Sequence, residues 1–175
     1  MSDIERLLEP MIPALRRYSR ALLRDQSASD DLVQDCLERA IAHWGQRRTD
    51  GNPRAWVFAI LQNLFKTRMR RIANRAPDVA LEDADESAIA VAAPQVKQLL
   101  YKETLGALAK LPEDQRAVLL LVAVEDLSYA EAAKVLGVPI GTVMSRLSRA
   151  RERLLALTTG EARPDTAQLQ LRIVK

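Results

Sequence analysis

The stretch SYAEAAKVLGVPIGTVMSRLSRARERLL, positions 128–155, constrains the fold more than any other part of the chain. Ser128 followed three residues later by Glu131 is a capping box, in which each side chain satisfies the other's orphan backbone N–H at a helix start. Ala132, Ala133 and Leu136 then recur at helical spacing, and Gly137 stands where a helix ends in a left-handed residue. Pro139 and Gly141 make a tight turn, after which helical periodicity resumes. Two helices joined so closely, the first lined with small alanines, describe a helix-turn-helix. On the second helix Val143, Leu147 and Leu154 point inward, whereas Thr142, Ser145, Arg146, Arg149 and Arg153 line the outer side. Hydroxyls and guanidinium groups in such a row match base edges and phosphates.

The remainder reads as helix too. Leu and Ala each occur 26 times and glycine only six times, which disfavours β-sandwiches, barrels and glycine-rich nucleotide folds. Val96, Leu99, Leu100, Leu108 and Leu111 predict a helix that Pro112 ends, and Ala117, Val118, Leu121 and Val122 predict a second. Near the N-terminus Leu7, Leu8, Met11, Ile12, Leu15, Tyr18, Ala21 and Leu22 form an amphipathic stripe, with Pro10 and Pro13 marking a kink or restart. From Ser27, expected as an N-cap, the positions Leu32, Val33, Cys36, Leu37, Ala40, Ile41 and Trp44 make another stripe. Its opposite face holds Asp31, Gln34, Asp35, Glu38 and Arg39. Pro53, behind Asn52, opens a helix with Trp56, Val57, Ile60, Leu61, Leu64 and Phe65 inward, both aromatics read as core.

Charge divides the chain into three. Residues 1–75 carry a net +5, residues 76–96 a net −5 with no basic side chain, and residues 97–175 a net +3. The acidic strip is bounded by Pro77 and Pro94 and has little apolar periodicity, so it is expected to be a flexible linker between two small helical domains, 1–75 and 97–157, followed by a tail, 158–175. The expected fold class is therefore all-α. Lys66, Arg68, Arg70, Arg71 and Arg75 crowd one helix end without an intervening carboxylate. That is more than the helix dipole calls for and points to a polyanion.

Several chemistries are excluded on residue types. One cysteine and one histidine cannot build an internal disulfide, a Cys/His zinc finger or an iron–sulfur cluster. Cys36 and His43 are seven residues apart, about 10 Å along one helix, too far to act as a thiolate–imidazole pair. No phosphate loop or metal-ligand cluster occurs, so neither an enzyme nor a cofactor is expected. Apolar runs are too short to span a bilayer and no signal-peptide segment opens the chain, which points to a cytoplasmic protein.

DDLVQDCLERAIAHW, then NPRAWVFAILQNLFKTRMRR, then LPEDQRAVLLLVAVEDLSYAEAAKVLGVPIGTVMSRLSRARERL resemble, in order and spacing, a bacterial RNA polymerase sigma factor of the extracytoplasmic-function (ECF) group. The resemblance spans roughly residues 10–157. It implies a first domain, sigma region 2, that melts the minus-ten promoter element, and a second, sigma region 4, that reads the minus-thirty-five element. Both would bind core RNA polymerase, through the β′ clamp helices and the β flap. By position it places Asp31, Gln34, Asp35 and Glu38 at the clamp helices, and Asn63, Lys66, Thr67, Arg70 and Arg71 at minus-ten DNA. The loop at positions 46–52 resembles one that captures a flipped base. The linker matches a segment that threads toward the active centre and RNA exit channel. Thr142, Ser145, Arg146, Arg149 and Arg153 fall at minus-thirty-five DNA. Met144 and Ser148 depart from the family pattern, where many relatives carry Lys or Arg and an aromatic or His, so no promoter sequence carries over. The resemblance also implies an anti-sigma partner, in many relatives membrane-bound, and an envelope or stress response.

The competing reading is a free-standing regulator that binds an operator through the helix-turn-helix, its N-terminal bundle serving for dimerisation or sensing. The discriminator is core polymerase, which only a sigma factor needs for promoter binding.

Overall fold

The computed structural model describes residues 3–47, 51–75 and 106–159, and these form helices joined by short turns and loops, without a strand. The acidic strip 76–96, the start of the helix expected around Val96 to Leu100, positions 48–50 of the loop and the tail from residue 160 lie outside the described residues.

In the first block α1 (Asp3–Leu8) passes through a 3-10 turn (Glu9–Met11) into α2 (Ile12–Leu23). Pro10 and Pro13 both occupy first-turn positions, where the missing N–H costs nothing, so of the kink or restart expected there the chain makes a restart. Arg24, at φ 60°, ends α2, its N–H returning to the Arg20 carbonyl at 2.8 Å. α3 (Gln26–Ala42) is capped by Asp25, whose carboxylate accepts from the Ala28 N–H at 2.6 Å. Ser27, expected to be the cap, is thus already helical. The carboxylate two residues earlier also sits favourably against the positive end of the helix.

α4 (Pro53–Arg75) starts behind Asn52, whose side-chain oxygen accepts from the Arg54 N–H at 2.9 Å. Leu15, Tyr18 and Leu22 of α2, Leu32, Val33 and Cys36 of α3, and Val57, Phe58, Leu61 and Phe65 of α4 are buried together. Inside this core the Tyr18 hydroxyl donates to Gln62 at 2.8 Å, and its ring meets Phe58 edge-on at 5.4 Å.

The second block opens with helical residues 106–109, which stop before Pro112. α5 (Glu113–Leu119) runs on into a π-helical turn (Leu120–Val124), wider than the α-helix expected over Leu121 and Val122. Then come α6 (Tyr129–Leu136) and α7 (Ile140–Thr159). α7 begins earlier than expected, for Ile140 and Gly141 already form its first turn and Pro139 accepts from the Thr142 N–H at 2.9 Å.

The two blocks are packed together. α4 lies against α3 on one side and α6 on the other, and the buried apolar residues of both blocks form one continuous cluster.

Candidate nucleic-acid interface

The helix-turn-helix is built as its sequence requires. Ser128 Oγ accepts from the Glu131 N–H at 3.2 Å, while the Glu131 carboxylate accepts from the Ser128 N–H at 2.8 Å. Gly137, at φ 67°, turns the chain and returns its N–H to the Ala133 carbonyl at 2.9 Å. Only glycine adopts that backbone conformation without steric cost. Val143, Leu147 and Ala150 anchor α7 in the core, which fixes the rotation of its outer face. Ser145, Arg149 and Arg153 are exposed there and Thr142 is half-buried beside them. Arg146 is half-buried too, its Nε paired with Asp114 in the first turn of α5 at 3.1 Å. Of the five, Arg146 alone is engaged in an ion pair among the described residues.

The basic end of α4 presents Asn63, Thr67, Arg70 and Arg71 to solvent. Lys66 differs. It is half-buried, and its Nζ donates to the Leu136 carbonyl at 2.6 Å. Leu136 ends α6, so this cation satisfies an orphan carbonyl at the negative end of a helix dipole in the other block. Burial, followed by repulsion from Arg70 and Arg146, holds its pKa below the usual lysine value, with Glu113 pulling the other way.

On α3 the residues Asp31, Gln34, Asp35 and Glu38 are all exposed, and Gln34 donates to Glu38 at 3.1 Å. Their neighbour Asp30 instead lies 3.6 Å from both Arg16 and Arg20 of α2, a structural carboxylate. The outward acidic row therefore begins one residue later.

A further set of charged residues was not anticipated from the sequence. Glu125, just beyond the π turn, is almost fully buried, and both its oxygens lie 3.2 Å from Arg17 of α2. Arg54, in the first turn of α4, also donates to it. Asn52 donates to Glu131 at 2.6 Å. Burial pushes the Glu131 pKa up, but the hydrogen bonds from Asn52 and Ser128, with Lys134 nearby, hold it below the usual glutamate value. The Arg116 guanidinium, also buried, donates to Ala21 at the end of α2 at 3.0 Å and to Leu111 at 3.1 Å. With Lys66 these contacts bind the two blocks through charges at helix ends. Their one trace in the sequence is that Glu125 closes the uncharged apolar run 117–124.

Nothing described supports covalent or metal chemistry. Cys36 is buried with its thiol pointing to the Val57 carbonyl, and burial pushes its pKa up to about 12, so it is a core residue. His43 is exposed at the end of α3. No group of His, Cys, Asp and Glu among the described residues is placed to hold a metal ion. No described helix is long and apolar enough to cross a membrane.

Comparisons with known proteins follow the same division. Residues 8–62 match the family model of the sigma2 domain of PhyR, and residues 101–154 match sigma-70 region 4. The ECF RNA polymerase sigma factor EcfG of Rhodopseudomonas palustris is 40% identical over 149 residues, 83% of this chain and 80% of that one. Among solved structures, the sigma factor RpoE of Bartonella quintana, in complex with the anti-sigma factor NepR, superposes with a TM-score of 0.77 at 34% identity, over 90% of this chain and 97% of that one. CnrH, in complex with the cytosolic domain of CnrY, gives 0.65 at 27% identity, over 91% and 89%. The likeness runs through both blocks, whereas a free-standing regulator would share only the helix-turn-helix. The chain belongs to the extracytoplasmic-function family of RNA polymerase sigma factors, which direct transcription initiation from specific promoters.

Proposed function

We propose that this sigma factor works in the cytoplasm, with residues 1–75 as the sigma region 2 domain and 97–157 as the region 4 domain. In region 2 the outward face of α3, Asp31, Gln34, Asp35 and Glu38, docks on the β′ clamp helices. Asn63, Lys66, Thr67, Arg70 and Arg71 hold minus-ten DNA. In region 4 Thr142, Ser145, Arg146, Arg149 and Arg153 meet minus-thirty-five DNA, and the domain rests on the β flap. The chain itself carries out no catalysis; it supplies recognition, and the polymerase supplies the chemistry.

We further propose that the packed arrangement is the silenced form, stabilised by an anti-sigma factor. The observation that carries this is Lys66. A cation expected at promoter DNA is instead bound to the last carbonyl of α6, inside the helix-turn-helix domain. Held against that carbonyl, its ammonium faces the helix-turn-helix block instead of open solvent, so in this reading the blocks separate before both DNA elements are engaged. Support also comes from RpoE, which this chain resembles along most of its length and which was solved with the anti-sigma factor NepR bound.

In-vitro transcription with core polymerase tests the first part. Initiation from a specific promoter is expected, and the absence of such a transcript from every genomic fragment of the host would sink it. For the second part, joining the blocks with a reducible cross-linker between cysteines introduced at Arg17 and Glu125, which face each other across the blocks and are not placed on DNA, should abolish transcription until a reductant is added. Full activity of the cross-linked protein would refute it.

A further inference from the structure

Among the described residues six large apolar side chains are exposed: Ile41, Ile72, Val124, Ile140, Met144 and Leu157. Two of them, Ile140 at 49% and Met144 at 53% exposure, lie four residues apart on the first turns of α7. That spacing stacks them along one edge of the helix, with Ser148 next in the row. The core needs neither, since Val143, Leu147 and Ala150 already anchor the helix from another face. Around the exposed side the row gives way to Ser145 and then to Arg149. The pair thus forms an apolar margin on a face otherwise made of hydrogen-bond donors and cations.

We propose that Met144, with Ile140, is a specificity-determining contact that reads thymine methyl groups in the major groove of the minus-thirty-five element. The inference rests on α7 being the DNA-reading helix of region 4. Residues on the N-terminal turns of such a helix are the ones that reach base edges. In the major groove the C5-methyl of thymine is the one apolar group those edges present. An unbranched thioether adapts its shape to such a contact. One helical turn separates the two side chains by about 5.4 Å, against about 3.4 Å between base pairs, so the two methyl groups lie one or two steps apart. Neither side chain carries charge. The contact therefore adds discrimination without adding to the salt dependence of binding.

The test uses holoenzyme reconstituted with core polymerase and a minus-thirty-five element selected by the wild type from a randomised promoter library. Each thymine, on either strand, is replaced singly by deoxyuridine, which removes the methyl group and leaves every hydrogen bond intact. Wild-type affinity should fall about fourfold at one or two positions, the value of one buried methyl. Met144→Ala should lose that sensitivity at one of them and Ile140→Ala at the other, with unchanged melting temperature and salt slope, and Met144→Leu should retain it. A selected element without thymine overturns the proposal. So does a wild type indifferent to every uracil, or a Met144→Ala profile identical to the wild type. If Met144→Ala keeps the uracil profile but loses binding to the anti-sigma protein, the patch belongs to a protein partner and the proposal is again wrong. A wild-type holoenzyme that selects no element at all removes the underlying reading of α7, a distinguishable failure.

Discussion

The basic end of α4 and the second helix of the helix-turn-helix carry similar charges, yet the tertiary structure treats them differently. α7 buries one face in its own block, and Arg149 and Arg153 on the opposite face remain in water. α4 is packed on two sides, against α3 and α6, so part of its basic stripe meets the other block. Arg54 at its start reaches the buried Glu125, and Lys66 further along reaches the end of α6. A run of cations therefore declares an affinity for negative charge without specifying the source. Phosphate, a buried carboxylate and the carbonyl end of a helix all satisfy it. Arg149 and Arg153 of α7 are thus held ready in water, whereas Arg54 and Lys66 of α4 are already occupied.

The strongest way to break that contrast is to empty the Glu125 site. Arg17 and Arg54 are both partly in solvent, whereas the Glu125 side chain is 1% exposed. Removing the carboxylate leaves two hydrated arginines. Removing the arginines strands a buried charge, which costs about 3 to 5 kcal/mol when nothing relaxes. Here something can relax, because separating the blocks hydrates Glu125 again. The Arg17→Ala/Arg54→Ala protein should therefore open rather than unfold, with a larger radius of gyration in small-angle scattering and helical circular dichroism retained. Glu125→Gln should have a smaller effect in the same direction, about 1 kcal/mol, the scale of one charged hydrogen bond exchanged for neutral ones. A double mutant as compact as the wild type would show that the apolar contact alone holds the blocks.

On α7 the contrast is sharpened by separating its two arginines. Arg149→Ala should cost holoenzyme about 1 to 3 kcal/mol and relax discrimination at one minus-thirty-five position. Arg153→Ala, one turn further on, should weaken all promoters alike and flatten the salt dependence by about one charge. A panel of single-base promoter variants at two salt concentrations separates these. Equal, sequence-independent losses would make Arg149 a phosphate contact.

The smallest effect on the fold is expected on α3. Reversing the charges of Asp31 and Asp35 should leave the melting temperature within the range of ordinary surface substitutions, about 0.5 kcal/mol, because both residues are exposed. Binding to core polymerase should nevertheless drop in a pull-down. Undiminished binding would remove α3 from the polymerase interface. Loss of helicity would show that the row supports the fold.

Much of this was legible in the sequence because the signals were local. The capping box at Ser128 and Glu131, the left-handed Gly137, the restart at Pro10 and Pro13, and the inward rows of α3, α4 and α7 each depend on residues within a turn or two of one another. Helical periodicity and capping chemistry operate over that range. The misses were of two kinds. At the start of α3 a carboxylate two residues upstream outcompeted Ser27, a choice between neighbouring oxygens that spacing alone does not rank. After α5 the chain widened into a π turn and placed Glu125 toward the first block, which no periodic pattern announces.

The sequence by itself determined that the fold class is all-α, that its second block holds a helix-turn-helix, and which faces of α3 and α7 point to water. Those outcomes follow from local backbone propensity and from the alternation of apolar and polar residues, both written in linear order. Only the tertiary structure decided that Lys66 lies against α6, that Arg146 turns aside to Asp114, and that Glu125 gathers Arg17 and Arg54. Each of these joins residues far apart in the chain or on different helices. A charge chooses its partner by distance and burial, and both exist only once the helices have packed.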